Sequence, residues 1–246
     1  MEDKKLYADQ WYNSAKYFYG NGSYTLMCKA IKKYKTVLEI GCGTGQSTLS
    51  LLENGHKVIT IEKNEFCIEK AKTLLKEKGH NVGTIESNIL DCDVILLPLE
   101  LFDNSLLNSI SNIPFDVVIC WNVGSYFNKS MLQYYIPIMI EHRFGIEYIK
   151  SNTESSYAEL IQVQACKIAI DHNVPVHFID RGLEKYTRWN DTYFVALKRE
   201  FGFSKIRYDN FKTKSMSEGG RLLVTHGVRH DSRDLDLYLN SALLIP

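Results

Sequence analysis

Several things are missing from this 246-residue sequence, and each absence removes a class of protein. No stretch of eighteen apolar residues occurs, so no membrane-spanning helix is expected. Net charge is zero, 29 Lys and Arg against 29 Asp and Glu, so there is no global basic footprint for nucleic acid, although a local patch stays open. The six cysteines, Cys28, Cys42, Cys67, Cys92, Cys120 and Cys166, form no CxxC pair, and no His/Cys/Asp cluster has metal-ligand spacing. Buried, reduced thiols and no metal are therefore expected. Residues 1–20 carry charges of both signs without an apolar core, unlike a signal peptide, which reads as a cytoplasmic protein. Repeats, low-complexity tracts and Pro/Gly/Ser linkers are lacking too, so one domain over residues 1–246 is expected. With 45% hydrophobic residues that domain can build a core without disulfide or metal staples.

What is present is an alternation of strand and helix. The β-branched or apolar runs Thr36–Ile40, Lys57–Glu62, 82–89, Phe115–Trp121 and Val174–Asp180 predict strands, with Pro175 tolerated at a strand start. Lys205–Tyr208 and Arg221–Gly227 predict an antiparallel pair across Gly219-Gly220. Helical patterns cover 24–34, 46–53, 64–78, 129–142, 155–171 and 191–200, and Phe144–Ser151 reads as a strand or an inserted loop. This order predicts an α/β layered fold around a parallel sheet.

The strongest signal lies in Val37-Leu38-Glu39-Ile40-Gly41-Cys42-Gly43-Thr44-Gly45-Gln46-Ser47. A strand enters a glycine-rich turn that opens a helix, leaving backbone N–H groups exposed at the helix N-terminus. The glycines read GxGxG rather than the dinucleotide GxGxxG, and no Gly-Lys-Ser/Thr follows to make a Walker loop. A second acid, Glu62, closes the next strand, where a carboxylate can accept both hydroxyls of a ribose. Over about residues 36–125 this arrangement resembles the class I S-adenosylmethionine-dependent methyltransferases.

The resemblance implies a Rossmann-like, doubly wound, mostly parallel seven-stranded sheet with an antiparallel last strand. It implies S-adenosylmethionine as cofactor and S-adenosylhomocysteine as product. Glu39, Gly41, Gly43, Gly45, Gln46 and Ser47 then face the methionine part, Glu62 the ribose and Lys63 the adenine. Asn88 stands where the family most often has an Asp reading the adenine amino group; Ile89 would pack on the ring, and Asp91 is the neighbouring alternative. Trp121 is expected beside the cofactor, with a packed core aromatic as the plainer reading. A nicotinamide or flavin enzyme, and a fold that has lost its ligand, stay open.

Three segments compete for the methyl acceptor. After the fourth strand, Asn122 and Tyr126 can hydrogen-bond or stack on an acceptor, but Val123-Gly124 replaces the Pro-Pro of the Asp/Asn-Pro-Pro-aromatic loop of nucleic-acid amino methyltransferases. The N-terminal residues 1–35 read as a helical lid contributing Tyr12 and Tyr19. Residues ~127–158 read as a specificity insertion, with His142 as a candidate general base or an ordinary helix-end residue. Arg181–Trp189, with His226, Arg229, His230 and Arg233, is the one hint of a polyanion surface. The apolar tail Leu243-Leu244-Ile245 reads as a partner contact or as docking on its own domain. The expected reaction is methyl transfer to an oxygen or nitrogen of a small molecule. Nucleic acid, or a non-methylating cofactor binder, is the alternative; no membrane partner is expected and the oligomeric state is left open.

Overall fold

The computed structural model describes residues 3–103, 110, 113–122, 131–214, 220, 223–225, 228–230 and 235–246. Its centre is β1 (Thr36–Ile40), flanked in parallel by β2 (Lys57–Ile61) and β5 (Val117–Trp121). These three strands are almost wholly apolar because helices cover both faces of the sheet. On one side the sheet continues through β4 (Val94–Leu97) to the two-residue edge strand β3 (Val82–Gly83). On the other it continues through β6 (Val176–Gly182) to β10 (Asp236–Ile245) and β7 (Lys205–Lys214). The order is β3-β4-β2-β1-β5-β6-β10-β7, parallel except for β10, which is antiparallel to both of its neighbours. This is a Rossmann-like, doubly wound fold with eight strands in the sheet where seven were expected. A separate hairpin pairs β8 (Leu223–Thr225) with β9 (Val228–His230).

Helices α1 (Lys4–Gly20), α2 (Ser23–Lys29), α3 (Gln46–Glu53) and α4 (Glu65–Glu77) supply one layer, whose core joins Trp11, Phe18, Met27 and Leu51 to Val37 and Ile119. Helices α5 (Leu132–Glu141), α6 (Ile146–Ser151), α7 (Thr153–Asp171) and α8 (Tyr193–Phe201) supply the other, around Leu38, Ile59, Val118 and Phe178. The chain leaves β1 towards β2 and later returns on the other side as β5, so the strand order reverses between β1 and β5. A crevice opens there beyond the carboxyl ends of the strands.

Three expectations need correction, and one open alternative is decided. The third strand does not run over 82–89; the strand paired with β2 is Val94–Leu97. Between them the backbone turns, because Ser87 Oγ accepts from Thr84 N and Asn88 Oδ1 from Leu90 N, local bonds that compete with a ladder. Lys57 Nζ then fixes the connection by donating to the carbonyls of Ile89, Leu90 and Cys92. Phe144–Ser151 is neither strand nor loop throughout, since 146–151 form α6. Lys205–Tyr208 does not pair with Arg221–Gly227; the ten-residue β7 pairs with β10, and Leu223–Thr225 pairs with β9. The apolar tail is β10 itself, inserted between β6 and β7, which resolves its two readings in favour of its own domain.

Leu237, Leu239 and Leu243 of β10 reach the α1–α4 layer, and Ala242 and Leu244 the other, the period-2 alternation of a strand buried on both faces. Leu239 is fully buried. Replacing Leu239 by Ala is expected to lower unfolding free energy by about 2–5 kcal/mol, from lost transfer energy and the cavity left behind. Urea titration should show a lower midpoint at an unchanged slope.

Candidate functional site

The site is built where β1 ends. Gly41, Gly43 and Gly45 all have positive φ, at 78°, 52° and 92°. Two of them also have no room for a side chain. A Cβ on Gly43 would lie 2.1 Å from Trp11 Nε1, and one on Gly45 would lie 2.9 Å from the Ala71 Cα of α4. Beneath the turn, the buried Glu39 carboxylate accepts from Ser47 Oγ at 2.6 Å and Thr48 Oγ1 at 2.5 Å, tying the first turn of α3 back to β1. Burial pushes the Glu39 pKa up, and the two hydroxyls hold it down only in part.

The end of β2 is fastened to the same turn. Glu62 Oε2 accepts from Gly43 N at 2.9 Å, and Oε1 accepts from Lys63 N and Asn64 N, each at 2.9 Å. Asn64 then caps α4 by accepting from Phe66 N at 3.1 Å. Desolvation raises the Glu62 pKa against these N–H donors. The result is a cleft of about 600 Å³, the solvent at its mouth included. Gly41, Gly43 and Glu62 line its base, Leu99-Glu100-Leu101 after β4 one wall and Asn122 after β5 the far end. Tyr7 and Trp11 of α1 and Tyr157 and Ile161 of α7 close over it.

A polar cluster joins this wall to the second helical layer. Lys63 Nζ donates to Tyr135 Oη at 3.0 Å and to Tyr157 Oη, and stands 3.7 Å from Glu100 Oε2. Tyr135 Oη donates to Glu100 Oε2 at 2.6 Å. Burial lowers the Lys63 pKa and raises those of Tyr135 and Tyr157, so both phenols keep their protons.

The cleft brings together five of the residues expected at the cofactor or the acceptor: Gly41, Gly43, Glu62, Lys63 and Asn122. Glu39, Gly45, Gln46 and Ser47 lie behind the turn rather than on the cleft wall; Gln46 Oε1, for instance, accepts from Thr44 Oγ1. Asn88 is exposed on the turn before β4, and Ile89 is buried in the core, because the strand they were thought to end lies farther along the chain. Trp121 is also core: its Nε1 donates to His177 Nδ1 at 3.0 Å, and His177 Nε2 lies 2.7 Å from Ser241 Oγ. Burial pushes the His177 pKa down to about 3, so the ring is neutral, accepting from Trp121 and donating to Ser241.

His142 caps the C-terminus of α5 away from the cleft lining, its pKa lowered by burial and by Lys167. Tyr12 sits under Lys70, and Tyr19 donates to Glu53 at 2.8 Å, both on other faces of α1. Tyr126, His226 and Arg233 lie outside the described residues, as do the side chains of Arg229 and His230.

Sequence reasoning missed Tyr7, Trp11, Glu100, Tyr135 and Tyr157. A signal existed for some of them: Tyr7 and Trp11, like Tyr157 and Ile161, are spaced i, i+4 and share a helix face. The run Val94–Leu97 followed by Pro98 marked where a strand ends and Glu100 follows.

Fold and cleft define a class: a Rossmann-like α/β domain with a glycine-turn cleft beyond the carboxyl ends of its central strands. Residues 37–140 match the family model described as Methyltransferase domain. A probable ribosomal RNA small subunit methyltransferase A of Methanosphaera stadtmanae is 32% identical over 108 residues. That stretch is 42% of this chain and 36% of the relative, so the match spans about a third of the relative's length. Among solved structures, the methyltransferase domain of bacterial CtHen1-CN has a TM-score of 0.49 at 14% identity, covering 93% of this chain and 98% of that one. The N-methyltransferase NodS from Bradyrhizobium japonicum WM9, in complex with S-adenosyl-l-homocysteine, has 0.47 at 12%, covering 92% and 87%. At these values neither likeness bears on function. Among the described residues no helix is long and apolar enough to cross a membrane.

Two outcomes follow from the turn. Gly43→Ala should destabilise the protein through the clash with Trp11, and the loss should shrink when Trp11→Ala is added, giving a coupling of about 0.5–3 kcal/mol in a double-mutant cycle. Glu39→Gln should keep one hydroxyl contact as it is and reverse the other, with Nε2 donating to the hydroxyl oxygen, while removing the carboxyl whose pKa burial raises. Such a group favours the fold below 4.5 and loses that contribution as pH rises through its folded value. The difference in unfolding free energy should therefore move in the variant's favour as pH climbs above 4.5.

Proposed function

We propose that this chain is an S-adenosylmethionine-dependent methyltransferase acting on a nitrogen or oxygen of a small molecule. The observation that carries the reading is Glu62, a carboxylate at the tip of β2 that is bonded to the glycine turn and lines the same cleft. It accepts ribose hydroxyls at that position, and its negative charge at the turn opposes a pyrophosphate while favouring a ligand that carries a sulfonium and an ammonium. Leu99 and Leu101 supply apolar faces for adenine, and Glu100 takes the amino-group role first expected of Asn88. Trp11, packed over Gly43, and Tyr7 exclude water from the sulfonium. Transfer is an in-line displacement, so the protein's part is alignment and proton removal. Residues 127–158 act as the specificity insertion, since Tyr135 and Tyr157 from its helices reach the cleft wall through Lys63.

An RNA acceptor is the second reading. The loop after β6 holds Trp189, 82% exposed, with the Arg188 guanidinium 4.2 Å from its ring centroid, a pair suited to stacking on a base. That reading requires an affinity for RNA that falls steeply with salt.

Calorimetric titration with S-adenosylmethionine, S-adenosylhomocysteine, NAD and ATP tests the cofactor. The two adenosyl-sulfur compounds should bind and the other two should not. Glu62→Ala should weaken S-adenosylhomocysteine binding by about tenfold or more, the loss of one charge-assisted contact. Equal affinity in the variant would remove Glu62 from the cofactor site.

A further inference from the structure

Beyond Asn122 a second group of polar side chains adjoins the residues that line the cleft. Asn122 is the first residue after β5, and its N–H donates to Ile179 O at 2.8 Å, so it lies beside the middle of β6, where the pairing with β5 ends. Its side chain is 8% exposed, and neither amide atom has a partner among the described residues. Such a buried, unmatched amide on a cleft wall points to a ligand that both donates and accepts. The next residue of β6, Asp180, turns to the α7 side of the sheet. There Gln162 Nε2 donates to both carboxylate oxygens at the long distances of 3.4 and 3.2 Å. Gln162 directly follows Ile161, which lines the cleft. Asp180 thus adjoins two wall residues, one through the strand pairing and one through α7.

The Asp180 carboxylate has room for stronger donors than one weakly bonded amide. Tyr193 of α8 supports the same point: its hydroxyl is buried and has no partner among the described residues, and it lies within the electrostatic reach of Asp180. Among the described residues, then, an amide on the cleft wall and a phenol that feels Asp180 both have no partner, near a carboxylate held by one long-range amide alone.

We propose that Asp180, steered by Gln162 and flanked by Asn122, is the acceptor subsite and that it takes an amine. This rests on the methyltransferase reading above and narrows its acceptor to nitrogen. The amine donates one N–H to Asp180 and aims its lone pair at the methyl carbon. The N–C bond forms as the C–S bond breaks, the sulfonium becomes a neutral thioether, and the cationic nitrogen passes its proton to the Asp180 carboxylate. Asp180 is suited to that step: burial raises its pKa to about 6, against Gln162 and the Arg181 guanidinium, which lower it, and with Asp191 raising it. The other titratable groups that feel Asp180 are the Tyr186 and Tyr193 phenols and the Cys120 thiol.

The test compares the parent chain with Asp180→Asn, an isosteric change. Acceptor probes are phenethylamine and tryptamine against their hydroxyl analogues phenethyl alcohol and tryptophol, with methylated product and S-adenosylhomocysteine both measured. The amines should be methylated and the alcohols not. The variant should bind S-adenosylhomocysteine as the parent does yet lose ~100-fold or more in turnover of the amines. The parent rate should fall as pH drops through about 6, and the variant should lack that limb. Methylation of the alcohols alone, of neither amine, or of amines at an undiminished rate by the variant overturns the amine subsite. Failure of the parent to bind either adenosyl-sulfur compound overturns the cofactor reading instead, so the two failures are distinct.

Discussion

The Glu62 carboxylate is the point on which the rest of the site depends. It accepts one backbone N–H from the glycine turn after β1 and two from the start of the segment that leads into α4. Three N–H donors on one carboxylate offset much of the cost of desolvating it. They also lock the ends of two neighbouring parallel strands to each other. Because Gly43 is held there, Trp11 can pack on it, and α1 lies across the mouth of the crevice. Because Asn64 is held there, α4 starts in the right place to receive Gly45 against Ala71.

A second carboxylate does quieter work. Glu39 looked like a ligand contact from its place two residues before Gly41, yet both its oxygens are occupied by hydroxyls of α3 beneath the turn. The acid of the motif therefore holds the turn's shape, and the acid one strand over faces the cleft. Lys63, Glu100, Tyr135 and Tyr157 make the corresponding link to the opposite helical layer. The two layers thus meet at the cleft, one through packing of an indole on glycine and the other through a buried polar cluster.

The legible parts of the site were those in which chemistry and backbone geometry sit in one continuous stretch. The 36–47 segment shows its strand, its turn and its helix start in residue types alone, and α3 falls where the pattern put it. Glu62 was legible because a strand with a terminal acid is a local feature. Asn88 misled because a segment rich in Thr, Ser, Asn and Asp also contained enough apolar residues to imitate a strand. Its own side-chain hydrogen bonds settle it as turns. Tyr12 and Tyr19 misled for a different reason: an aromatic-rich helix has several faces, and only the packing of α1 on the glycine turn selects the one with Tyr7 and Trp11.

By itself the sequence determined the alternation of strands and helices, the parallel character of the sheet's centre, the glycine turn and the acid that closes β2. Each follows from period, burial pattern or backbone freedom within a few residues. Only the tertiary structure decided which strand lies beside β2, that the C-terminal residues fill the place between β6 and β7, and that α5 and α7 deliver two tyrosines to Lys63. It also decided that Asn122, just past the end of β5, lies beside the stretch of β6 that holds Asp180, 58 positions away in the chain. The physical reason is the same throughout: strand pairing and helix packing join residues far apart in sequence, and no local pattern encodes which partner a strand edge or a helix face will find.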